Sequence, residues 1–76
     1  MKNTDKKTLK EALIEIDNAI SSVQEIIDNH DEYIDNAYEK EKDDRAYELE
    51  DVKSILEDAM SELESAKDNI ESALDA

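Results

Sequence analysis

From Leu9 the apolar residues recur in a four-three step through Leu13, Ile16, Ile20, Val23 and Ile27 to Ile34 and Ala37, with His30 as the one polar member of the series. That step returns every side chain to one side of an α-helix, which the period of two in a β-strand cannot do. A second series, Leu49, Val52, Leu56, Ala59, Leu63, Ala66, Ile70 and Ala73, keeps the rhythm one residue out of phase with the first. Between them Glu39 to Ala46, EKEKDDRA, is heavily charged and has no apolar stripe. The register resets there, and Asp43 or Asp44 is suited to cap the helix that follows. Thr8 stands three residues before Glu11, the spacing of a capping box, and marks the expected start of the first helix.

With no glycine and no proline in the chain, the connection has to be built from Asn, Asp or Lys. Two helices of roughly 30 residues, each about 45–50 Å long, joined by a short link, fold back on each other. The expected fold is all-α, an antiparallel two-helix coiled-coil hairpin. It comprises a basic tail over about 1–7, helix 1 over about 9–41, a turn over about 42–44 and helix 2 over about 45–75. Centring the register on Asp43 pairs Leu13 with Ala73, Ile16 with Ile70, Ile20 with Ala66, Val23 with Leu63, Ile27 with Ala59, His30 with Leu56, Ile34 with Val52 and Ala37 with Leu49, so three large residues of helix 1 face alanines of helix 2. The same alignment sets Asp17 beside Lys67 and Asp31 beside Lys53, the only lysines within helix 2. Such flanking pairs select register and direction. The stretch DNHDE, Asp28 to Glu32, offers an alternative: a break near 29–31 that makes a three-helix bundle.

One seam cannot hide all the apolar surface. Helix 1 adds Ala12, Ala19, Ile26 and Tyr33 beside its stripe, and helix 2 adds Ala46, Ile55, Met60 and Leu74. Stripes of that width suit more than two helices, and a homodimer forming an antiparallel four-helix bundle is expected. Leu, Ile and Val number only 16 of 76 residues, so a highly charged chain of this kind lies close to the composition of disordered segments.

The net charge is −14. The first ten residues hold four lysines against Asp5, a net +3, so the other 66 carry −17. Nucleic acid and anionic membrane repel such a body, and a basic protein surface attracts it. No apolar run is long enough for a membrane span, and MKNTDKKTLK lacks the apolar core of a signal peptide, so a cytoplasmic location is expected. Catalysis is not expected either. One histidine, no cysteine and no glycine leave no activated nucleophile, no phosphate cradle, no zinc set and no calcium loop. A bundle-core metal centre needs Glu-x-x-His, and His30 has Ile27 at that spacing. No cofactor is expected. His30 reads as a tolerated polar residue opposite Leu56 or as a protonation switch near neutral pH.

Helix 2 carries Glu50, Glu57, Glu64 and Glu71 at heptad spacing, with Asp51 and Asp58 beside them. Helix 1 is acidic outside through Glu11, Glu15, Glu25, Asp28, Glu32, Asp35 and Glu39. A helix selected for stability alone would place lysines four residues after its glutamates, whereas here like charges stack. Two copies would carry −28 on a rod of about 50 Å, against about 30 phosphates on the same length of B-DNA. The three aromatic residues, Tyr33, Tyr38 and Tyr47, lie toward the turn and suit either rim packing or anchoring of a partner.

In composition and size the chain resembles the small acidic inhibitors made by phages and mobile elements, the anti-restriction and anti-CRISPR DNA mimics. The resemblance carries no shared motif and assigns no residue. It implies a stoichiometric inhibitor that blocks nucleic-acid access to a nuclease complex in the bacterial cytoplasm. The expected partner surface comprises Glu50, Asp51, Glu57, Asp58, Glu64 and Glu71 with the three tyrosines. The alternative is a coiled-coil interaction module, such as an adaptor, antitoxin or assembly factor, that grips its partner through Ile26, Ile55 and Met60.

Overall fold

The computed structural model describes all 76 residues. They form two α-helices, α1 (Asn3–Glu39) and α2 (Asp43–Asp75), packed antiparallel as a hairpin 58 Å long. Helix α1 runs without interruption through Asp28–Glu32, which rules out the three-helix alternative. The His30 ring nitrogen Nδ1 lies 2.9 Å from the Ile26 carbonyl oxygen one turn back, so the polar ring is satisfied inside its own helix.

Helix α1 begins at Asn3, well before the expected start at Thr8. Lysines are good helix formers, and Asp5 in the first turn complements the positive end of the helix dipole, so the basic segment extends the helix. Thr8 is consequently interior. Its hydroxyl donates to the Thr4 carbonyl at 3.0 Å, and the capping box with Glu11 is not made.

The turn falls at Lys40, Glu41 and Lys42, two residues earlier than expected, and Asp43 and Asp44 occupy the first turn of α2 without making a capping hydrogen bond. The Lys42 N–H donates to the Ala37 carbonyl at 2.8 Å and the Glu41 N–H to the Tyr38 carbonyl at 3.0 Å. These are the two bonds of a Schellman motif, whose left-handed position usually belongs to glycine. Here Glu41 takes it, at φ 57°.

The earlier turn changes what faces the seam. Ile34, Ala37, Ala46 and Leu49 form one buried cluster beside the turn, which keeps Ala37 and Leu49 together as expected, whereas Val52, expected opposite Ile34, is exposed and Ala46 takes a place in the cluster. Along α2 the inward columns are Leu49, Leu56, Leu63 and Ile70 together with Ala46, Lys53, Met60, Lys67 and Leu74. Of the two columns expected inward, the one through Leu49 faces the seam and the other is turned out: Val52 is exposed, as are Ala66 and Ala73, and only Ala59 is partly covered. The reason is volume. Met60, Leu74 and the aliphatic stems of two lysines fill more of the seam than one valine and three alanines, and the stems cover apolar surface while their ammonium groups reach water.

Candidate partner-binding face

Both expected ion pairs form across the seam. Lys67 Nζ lies 2.9 Å from Asp17 and Lys53 Nζ lies 2.5 Å from Asp31. Each lysine pKa is pushed up, first by the hydrogen bond to its aspartate and then by the surrounding carboxylates, against the opposing effect of partial burial. Pairs at both levels fix which edge of α1 meets which edge of α2, because side chains three or four residues apart share a helix side.

On that edge, α1 contributes Asp17, Asp28, Asp31 and Asp35, and α2 contributes the row Glu50, Glu57, Glu64 and Glu71. Gln24, Ile27, Glu57, Met60, Ser61 and Glu64 line a shallow groove between the helices there, with Met60 and Ile27 as its apolar floor. The Gln24 amide donates to Asp28 at 2.9 Å and holds that carboxylate at the rim. Asp51 and Asp58 stand one residue further round α2, exposed, on its outer side rather than in the row. Rows of like charge persist because the backbone of a packed helix cannot relax to separate them.

The tyrosines divide. Tyr38 donates its hydroxyl to Glu50 at 2.8 Å and meets Tyr47 edge-on, with ring centres 6.3 Å apart. That hydrogen bond is the main reason the Tyr38 hydroxyl pKa is pushed up to about 12. Tyr33 lies elsewhere: it meets His30 edge-on at 5.4 Å and lines the groove on the opposite side of the hairpin with Ala37, Arg45 and Leu49. That opposite side also presents Ile26, Val52 and Ile55, all exposed.

The hairpin is therefore two-faced, acidic on one side and apolar on the other. Helix α1 adds Asp17, Asp28, Asp31 and Asp35 to the acidic side, and from Glu11 to Glu39 it has nine carboxylates in all and no lysine or arginine. Its less regular spacing concealed this. The signal lay in the pairing of Asp17 and Asp31 with the two lysines, which brings the α1 aspartates beside the α2 row. No three His, Asp or Glu side chains converge as a metal site. No helix is long and apolar enough to cross a membrane. No protein-family model, curated protein or solved structure matches the chain.

Proposed function

We propose that this chain is an acidic, non-enzymatic inhibitor that occupies the cationic nucleic-acid channel of a nucleic-acid-binding protein or nuclease complex, in the manner of phage anti-restriction and anti-CRISPR proteins. The observation that carries the reading is the acidic face, in which Glu50, Glu57, Glu64 and Glu71 run beside the α1 aspartates on a helical rod 58 Å long. One chain spreads −14 over that length, about one net charge per 4 Å, near the 3.4 Å charge spacing of one DNA strand. Preorganised charge of this density steers a cationic surface onto the rod and matches its potential without any reacting group. Tyr38 and Tyr47, at the turn end of the same side, supply amphipathic anchors.

The test is capture from bacterial lysate at low salt by wild type and by a variant with Glu50, Glu57, Glu64 and Glu71 changed to Gln, followed by competition with duplex DNA. The reading expects a nucleic-acid-binding protein retained by wild type, released by DNA and lost by the variant at unchanged helix content. Equal capture by both proteins would reject it.

The second reading, an adaptor, antitoxin or assembly factor, draws on the exposed Ile26, Val52 and Ile55. Met60 drops out of that surface because it is buried within the hairpin.

A further inference from the structure

The apolar side has an order along its length. In α1 one heptad column reads Asp5, Ala12, Ala19, Ile26, Tyr33 and Lys40. The adjoining column of α2 reads Arg45, Val52, Ala59, Ala66 and Ala73, and beyond it Ile55 stands in an outer column whose other members are Glu48, Glu62 and Asn69. Both columns are basic at the turn, carry their large residues in the half beside it, and taper to alanine toward the open end, where α1 finishes on Asp5. Tapering of this kind leaves a flat partner unsupported at one end and suits a partner that tapers the other way.

We propose that a second copy of this chain covers the face, antiparallel, about a twofold axis that crosses α1 near Ser22 and Val23. In that arrangement Tyr33 lies over the partner's Ala12, Ile26 over the partner's Ala19, and Val52 enters the space above the partner's Ala66 and Ala73. Tyr33, Ile26 and Val52 each meet a small residue, as closely packed interfaces require, and each contact occurs twice, as twofold symmetry requires. Lys40 arrives beside the partner's Asp5, so the ends attract as well. A parallel copy would set Tyr33 against Tyr33, alanine against alanine and lysine against lysine.

Area supports the same occupant. The hairpin exposes 5664 Å². A compact monomer of 8.7 kDa exposes about 4,700 Å². The excess of about 900 Å² is close to the roughly 800 Å² that each partner covers in a standard interface. Only six residues are buried, and Ala46, Met60 and Leu74, expected to serve a dimer, are already used within the hairpin. Dimerisation in this manner leaves both acidic sides facing outward.

Sedimentation equilibrium should give about twice 8.7 kDa at micromolar concentration. A monomer there would overturn the proposal. Ile55→Glu combined with Val52→Glu should halve the mass, and a variant that stays dimeric would show that another surface is used. The chain has no cysteine, so Glu32→Cys, exposed and outside the two contact columns, accepts a single spin label. The axis near Ser22 and Val23 sets the two labels about 30 Å apart at 1.5 Å per residue. Labels within about 10 Å, the lateral separation of packed helices, would mean a parallel dimer and contradict the orientation.

Discussion

At Glu41 the chain does without glycine at a position that favours it. A left-handed backbone costs an L-residue about 1–2 kcal/mol, because Cβ crowds the following carbonyl. Glu41 bears this at φ 57° because the two Schellman bonds tie the turn. Glu41→Gly should therefore stabilise the hairpin by about 1 kcal/mol in urea unfolding, the gain being reduced by glycine's greater freedom when unfolded. Ala46 is the opposite case, with no exposed surface within the buried cluster beside the turn. Ala46→Leu should cost about 1–3 kcal/mol by overpacking, and an unchanged denaturation midpoint would show that the contact is looser than described. Tyr38 responds to pH. Its neutral hydroxyl donates to Glu50, which raises the folded pKa from 10.0 to about 12, so its contribution is complete below pH 10 and lost as pH rises through about 12. Ultraviolet titration should show a phenol step near pH 12 that Tyr38→Phe lacks. Loss of the same step in both proteins would remove the hydrogen bond from the account.

Between the two helices, the ion pairs at Asp17–Lys67 and Asp31–Lys53 hold register. Changing both lysines to Glu should lower the melting temperature, and adding Asp17→Lys with Asp31→Lys should restore it. Failure of the reversed pairs to rescue would mean that the charges do not select the alignment. These pairs also show how much of the fold could be read from the residues. Heptad spacing defined two helices, and the placement of the only two α2 lysines against Asp17 and Asp31 defined an antiparallel hairpin. What the spacing could not show was the rotation of α2. The columns that contain Val52 and Met60 flank the Leu49 column on either side, both usable by a heptad, and the choice depends on how much seam Met60 and the lysine stems can fill. The turn was misplaced for a related reason: glutamate at a left-handed position is disfavoured locally and is imposed by the closing helices. The acidic row of α2 was legible as a row; its union with α1, and the separation of Tyr33 from Tyr38 and Tyr47, required the pairing of edges.

Over the whole molecule, charge and shape oppose each other. The net charge of −14 favours expansion, and two helices with six buried residues hold it in a rod whose radius of gyration is 17.3 Å, against about 11 Å for a compact domain of this length. Screening should relieve the repulsion, so the melting temperature should rise between 0.02 and about 0.5 M sodium chloride, a range over which the Debye length shrinks to a few ångströms. A fall would mean that the two ion pairs outweigh the repulsion among the rows. Face-to-face pairing adds mass without adding length, so scattering should give a maximum dimension that stays near that of one hairpin. We propose that the fixed acidic side is what a partner recognises, and the most direct test is salt titration of the affinity between the chain and a nucleic-acid-binding protein retained from lysate. Wild-type affinity should fall steeply as salt rises, and the protein with Gln at 50, 57, 64 and 71 should bind more weakly at low salt with a shallower dependence. Coincident curves for the two proteins, at equal helix content, would contradict the claim.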